Sequence, residues 1–271
     1  MEKVAKETYI FSCQEIEQAL PLCDYIPIIE YVHKRHADHQ IYEPDLLHAN
    51  VAEGEFHLKT GGIRFSTEEY YGVKINGGFF KNRTNYHLPN ILGIIYICDA
   101  RNGYPLAIMD STVISRYRTG AATAVAAKYL APKTQIHLGV FGYGTQAEIQ
   151  IRSLAYVCDL QEIRISGRNP DKARLLIEKL QTEYPFPIYW DTPENTARNS
   201  NILVTTTPSR HYYIDKNWIV PGTFIRTIFM PNWERLSPVG KNVPNRGKRS
   251  FTIRPELHCK ISVSVSTYII C

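Results

Sequence analysis

"HLGVFGYGTQAEIQIRSL", residues 137–154, runs from a short apolar stretch through Gly142-Tyr143-Gly144-Thr145-Gln146-Ala147 into a segment of helical periodicity. Gly142-x-Gly144-x-x-Ala147 fits the dinucleotide fingerprint, whose third position accepts Ala. The first glycine permits a tight turn and the second lets backbone approach a pyrophosphate. The third small residue lets helix pack on strand, and the helix N-terminus supplies N–H donors beside a positive dipole end. As a glycine pattern alone it is weak, so its surroundings decide the fold.

Downstream, strand and helix patterns alternate. "QIHLGVF" (135–141), a helix from about Gln146, "EIRIS" (162–166), "DKARLLIEKLQTEY" (171–184), "IYW" (188–190), "TPENTARN" (192–199) and "ILVTTT" (202–207) follow one another. That order predicts a parallel sheet with crossover helices, the setting the glycine turn requires. The second strand ends in Ser166-Gly167-Arg168-Asn169, with no Asp or Glu to bind both ribose hydroxyls. Arg168 is placed to meet a 2′-phosphate, so NADP(H) is favoured and NAD(H) is left open.

Upstream, "SRYRTGAATAVAAKYL" (115–130) reads as a strong helix stopped by Pro132. Its Gly/Ala face allows close backbone approach and suits a domain junction. Before it, "SCQEIEQALPLCDYIPIIEYVHKRHADHQ" (12–40) is helical in spacing, with Ser12 as cap and Glu15 three residues on. "LLHANVAEGEFHLKTGGI" (46–63) alternates like two strands joined by a turn at Glu53-Gly54. "YYGVKINGGFF" (70–80) and "NILGIIYICD" (90–99) add strands, and Asn102-Gly103 marks a hairpin. These segments predict an α+β unit on an antiparallel sheet.

The composition, 44% hydrophobic and 21% charged, is that of a globular protein and excludes disorder. The net charge of +5 gathers toward "GKNVPNRGKRSFTIRPELHCK" (240–260), without aromatic interleaving, so no nucleic-acid partner is expected. The longest apolar runs are short of a membrane span, and no secretory leader is read at the N-terminus. Cys13, Cys23, Cys98, Cys158, Cys259 and Cys271 lack CxxC spacing, which reads as reduced thiols in a cytoplasmic protein with no metal expected.

Several stretches together resemble the ornithine cyclodeaminase/mu-crystallin family: "GVKINGGFFKN" (72–82), residues 88–133 with their "RTGAATAVAAKYL" string (118–130), "GVFGYGTQAEIQIRSL" (139–154) and "WIVPGTFIRTI" (218–228). The resemblance implies an α/β fold: a substrate-binding and dimerisation domain over 1–117, then a Rossmann-type NAD(P)-binding domain over 118–236 that is incomplete at its C-terminus. A divergent tail occupies 237–271. It also implies a homodimer that exchanges hydride between a nicotinamide and the α-carbon of a small amino or imino acid. That covers ketimine reductases and amino-acid dehydrogenases; ornithine cyclodeamination and non-catalytic NADP binding are the alternatives.

By residue, the resemblance implies that Arg118 pairs with the substrate carboxylate and that Lys74 lies beside it or acts as acid/base. Arg118 at a helix N-terminus would oppose the dipole, which argues for an anion shared by both. Lys74 in an apolar strand would have a lowered pKa and exchange protons near neutrality. Gly142, Gly144, Thr145, Gln146, Ala147, Arg168, Asn169 and Thr206 are the expected cofactor contacts. The nicotinamide is expected at the carboxyl ends of the parallel sheet, against the first domain's sheet.

Two departures stand out. Where many members carry Arg after a Pro, this chain has Asp45 after Pro44; His57 or Lys59 on the following strand is available for that role, with a structural role the alternative for each. After "PGTFIRTI" the chain reads Phe229-Met230-Pro231-Asn232-Trp233-Glu234-Arg235-Leu236, without the family's Gly-Ala-Asp turn. That weakens the case for cyclodeamination. Beyond Leu236 the resemblance ends, which points to a truncated or frame-altered C-terminus, with "KISVSVSTYII" (260–270) alternating like one strand.

Overall fold

Ser12 opens the first helix through a reciprocal capping box with Glu15: each side chain receives the other residue's backbone or side-chain donor. The computed structural model describes residues 7–207, 209, 213–228 and 260–262. The described residues divide into two compact units, with the boundary between Arg118 and Thr119. In the first unit a short strand β1 (Tyr9–Phe11) precedes helices α1 (Cys13–Ala19) and α2 (Leu22–Ala37), which interrupt the expected helical stretch at Leu20-Pro21. Then come β2 (Ile41–Tyr42), β3 (Leu46–Val51), β4 (Gly54–Arg64), β5 (Glu69–Gly78), the single turn α3 (Asn82–Asn85), β6 (Ile91–Asp99), β7 (Pro105–Asp110) and α4 (Thr112–Leu130).

These strands form a seven-stranded sheet in the order β1-β7-β6-β5-β4-β2, with β3 also paired to β4. All pairs are antiparallel except β1 with β7, which is parallel. The sheet is therefore mixed, not the purely antiparallel one expected. The β3–β4 loop is Ala52-Glu53, since Val51 pairs with Gly54. The turn sits one residue earlier than expected, and each residue of β3 pairs two positions earlier on β4. At the next hairpin Gly103 takes φ +76°, and Asp99 accepts from the Gly103 N–H and pairs with Arg101. Helix α4 begins at Thr112, whose N–H donates to Asp110 Oδ1 at 2.6 Å, three residues before the expected start.

The second unit continues from α4 with β8 (Ile136–Phe141), α5 (Thr145–Ala155), β9 (Leu160–Ser166), α6 (Pro170–Gln181), β10 (Ile188–Trp190), α7 (Pro193–Arg198), β11 (Ile202–Thr205), β12 (Phe224–Thr227) and β13 (Lys260–Ser262). All pairs are parallel, in the order β10-β9-β8-β11-β12-β13. Counting strands from β8, this is the doubly wound order 3-2-1-4-5-6. Ile136, Leu138, Val140, Ile163, Ile165, Ile202, Val204 and Phe224 are buried against Ala147, Ile151, Leu154, Leu176 and Leu180 of the helices. The strands are near-continuous apolar runs because both sheet faces are covered. A Cβ at Gly120 of α4 would overlap Ser153 and Ile149 of α5, so the small residue permits that close packing. Strand β13 contains the start of the predicted strand 260–270; the family-divergent turn 229–236 lies outside the described residues.

Candidate functional site

In the second unit the site begins where β8 ends beside β11, at the change of strand order that marks the ligand crevice in such sheets. Gly142 has φ +117°, a left-handed conformation that side chains disfavour, and a Cβ there would overlap Thr206 Oγ1. Its N–H donates to Ser166 O at 2.8 Å, which ties the turn to β9. Gly144 is the N-cap of α5, and a Cβ on it would meet nothing within 4 Å. That open space faces the first turn of α5, whose N–H groups lack intrahelical acceptors and attract an anion. Ala147 is fully buried. The residues therefore fit a dinucleotide pyrophosphate: one glycine shapes the turn, the other leaves room for the ligand.

The remaining expected cofactor contacts fall in three places. Thr145 and Gln146 begin α5, with Gln146 Oε1 accepting from Gln150 Nε2 at 3.3 Å. Thr206 is 7% exposed, and both its N–H and its Oγ1 donate to Phe141 O at 2.8 and 3.2 Å, so it braces the turn from the β11 side. Asn169 is the N-cap of α6 and accepts from the Lys172 N–H at 3.0 Å. Arg168 beside it is exposed and forms no ion pair among the described residues. The Tyr143 ring lies against Gly167, where a Cβ would meet it, a contact the sequence pattern did not signal.

In the first unit two lysines share one sheet face, and an arginine of α4 acts on one of them. Lys59 on β4 and Lys74 on β5 are directly opposed in the antiparallel register. Lys74 is 2% exposed. Arg118 on α4 acts electrostatically on Lys59, and burial together with that guanidinium lowers the Lys59 pKa to about 8. On the same face Asn76 joins α4 to β5: its Nδ2 donates to Ser115 Oγ at 3.2 Å, and its Oδ1 accepts from Ser111 Oγ at 2.7 Å. Because α4 starts at Thr112, Arg118 stands in its second turn rather than at its N-terminus. The dipole argument for Arg118 therefore fails, and its neighbourhood with Lys59 replaces it.

His57 is on this face too, two residues before Lys59, but its Nε2 is 3.1 Å from Glu55 Oε1. His48, its cross-strand partner, places Nε2 3.0 Å from the other carboxylate oxygen of Glu55. The opposite face of the sheet exposes Ile10, Leu47, Phe56, Ile75 and Ile94, at 76%, 61%, 36%, 36% and 47%.

The second unit is thus a Rossmann-type dinucleotide-binding fold, joined through α4 to a mixed-sheet unit that carries a cationic face. The chain belongs to the ornithine cyclodeaminase/mu-crystallin family, whose model matches residues 6–236. It is 27% identical to the alanine dehydrogenase of Archaeoglobus fulgidus over 223 residues, 82% of this chain and 67% of that one. Among solved structures it resembles an archaeal alanine dehydrogenase dimer with bound NAD (TM-score 0.75, 27% identity, 80% of this chain and 66% of that one). It also resembles Thermococcus litoralis Δ1-pyrroline-2-carboxylate reductase in complex with NADH and L-proline (TM-score 0.76, 26% identity, 82% and 69%). The chain thus spans about two thirds of the length of these relatives. Among the described residues no helix is long and apolar enough to cross a membrane.

Proposed function

We propose that this protein carries out nicotinamide-dependent reduction or oxidation at the α-carbon of a small imino or amino acid. The observation that carries the proposal is the cationic face of Lys59 and Lys74, with Arg118 acting on Lys59, in a chain whose second unit has a pyrophosphate turn. The named activities of the similar proteins agree, since alanine, proline and pyrroline-2-carboxylate all pair a carboxylate with an adjacent carbon bearing nitrogen.

Gly142, Gly144 and the first turn of α5 would hold the cofactor's pyrophosphate, with Thr206 bracing the turn. When bound, the nicotinamide supplies hydride exchange. Arg118 and Lys59 clamp the substrate carboxylate and fix the orientation of the α-carbon. Lys74, buried beside them, delivers the proton that the imine nitrogen takes up on reduction and removes it in the reverse direction. The acid-free end of β9 and the unpaired, exposed Arg168 favour NADP(H). The exposed apolar face bearing Leu47, Phe56, Ile75 and Ile94 favours a homodimer through this sheet, as such a surface is unusual on a monomer.

The test is NADPH and NADH oxidation with cyclic ketimine carboxylates at mildly acidic pH, for the native chain and Arg118→Ala. Turnover that falls by about a hundredfold or more in the variant supports the clamp, in line with the loss of a charge-assisted pair. Unchanged turnover removes Arg118 from the site. Tight NADPH binding without turnover of any imine or amino acid would replace the proposal with a non-catalytic role.

A further inference from the structure

We propose that His48, Glu55 and His57 form a binding site for a divalent metal ion of the zinc class. The three donor atoms lie within 4.8 Å of one another. Their arrangement is set by the backbone. His48 and His57 are direct cross-strand partners in the β3–β4 hairpin, and Glu55 precedes His57 by two residues, so all three project from one face. The imidazole rings are stacked, with centroids 4.5 Å apart and planes inclined by 17°. The Glu55 carboxylate spans both rings, with one oxygen 3.0 Å from His48 Nε2 and the other 3.1 Å from His57 Nε2.

Two imidazole nitrogens and a carboxylate oxygen are a donor set suited to zinc, with bonds of about 2.0–2.2 Å. Tetrahedral geometry at those lengths puts ligand atoms about 3.3 Å apart. The two His–Glu separations are already close to that, and a change of ring orientation, which the rings' 42% and 37% exposure leaves room for, closes the remaining gap. Three protein ligands leave one position of a tetrahedral ion open. Lys59 lies two residues beyond His57, about 7 Å along the strand, and opposes a second cation there. That repulsion and the exposure set the expected affinity in the micromolar range, far weaker than closed structural sites. The sequence expectation of no metal rested on cysteine spacing, which does not bear on a His/Glu site.

The experiment titrates metal-free full-length protein with zinc by calorimetry and with cobalt(II) by visible absorption. Thiols are the competing ligands, because Cys13 is exposed and Cys23 partly so. The expected result is one ion per chain and a cobalt spectrum without thiolate charge transfer. His48→Ala and His57→Ala should each weaken binding about tenfold or more, and Cys23→Ser should leave it unchanged. Circular dichroism checks that each variant is folded; Glu55→Gln, which keeps the side chain's size, supplies a third variant with the same expected loss. Failure of the native protein to bind either ion overturns the proposal. So does binding that survives both histidine variants, or a cobalt spectrum dominated by thiolate.

Discussion

Lys59→Met separates the clamp from a merely structural lysine, because the native side chain titrates inside the accessible pH range. Burial first, and the Arg118 guanidinium second, lower its pKa from 10.5 to about 8. A bound carboxylate next to the ammonium restores the charged form, so binding must take up protons wherever free Lys59 is deprotonated. At pH 8 that is about half a proton per site, at pH 9 about nine-tenths, and at pH 6 almost none. The dissociation constant of an anionic ligand should accordingly rise roughly tenfold between pH 7 and pH 9. Pyrrole-2-carboxylate is a suitable probe, being a planar carboxylate with no basic nitrogen of its own. Calorimetry in buffers of different ionisation enthalpy, with saturating nicotinamide cofactor, reads the uptake directly. In Lys59→Met both the uptake and the pH dependence should vanish while binding weakens. Stability moves the other way. The folded pKa lies below the unfolded one, so the charged lysine destabilises the native state below about pH 8, and that penalty fades as pH climbs toward 10.5. The variant should therefore be more stable than the native chain at pH 7, by about 2 kcal/mol after allowance for partial solvent screening. Affinity that is flat from pH 7 to pH 9, with no proton uptake, would refute this reasoning.

The two fingerprint glycines should fail differently. Gly142→Ala meets both a φ of +117° and Thr206, so it should lose about 2–4 kcal/mol of stability in denaturant unfolding. Gly144→Val, in open space, should lose only about 1 kcal/mol of stability, for the poorer N-cap, and lose nucleotide binding; normal NADPH affinity there would sink the pyrophosphate assignment. Arg168→Ala should weaken NADPH by about tenfold and leave NADH unchanged, as fluorescence titration can measure; an equal loss for both cofactors would assign Arg168 a different role. Ile75→Glu combined with Ile94→Glu places charge on the exposed apolar face and should convert a dimer to a monomer by light scattering. A native chain that is already monomeric at micromolar concentration would dismiss that interface.

The second unit was legible because its strands are buried on both faces and read as short apolar runs between amphipathic helices. Gly142 and Ala147 mark the turn, and their chemistry is local. The first unit was harder for physical reasons. Its sheet is apolar on an exposed face, at Leu47, Phe56, Ile75 and Ile94, so alternation alone does not tell inside from outside. The parallel pairing of β1 with β7 joins residues far apart in the chain and leaves no local trace. Helix α4 begins at Thr112-Val113-Ile114, three β-branched residues of modest helix propensity, and the Asp110 carboxylate that receives the Thr112 N–H sets the start.

A one-residue displacement of a turn had the largest chemical consequence. With the β3–β4 loop at Glu53-Gly54, His48 would face Lys59, and His57 and Lys59 would be interchangeable heirs to the family's missing arginine. With Ala52-Glu53 as the loop, His48 faces His57 and both are drawn to Glu55. Lys59 is then left opposite Lys74 and under the influence of Arg118. Pairs equidistant from a hairpin turn share a face, so His48 and His57 were predictable as partners once the loop was known. On the proposed reading the two residues divide the work. Lys59 has the charge, the burial and the neighbours of an anion clamp. His57 has a carboxylate already on its nitrogen, so a substrate anion would have to displace Glu55 to reach it. For that reason carboxylate affinity should respond to Lys59→Met far more than to His57→Ala, and metal affinity should respond in the reverse order.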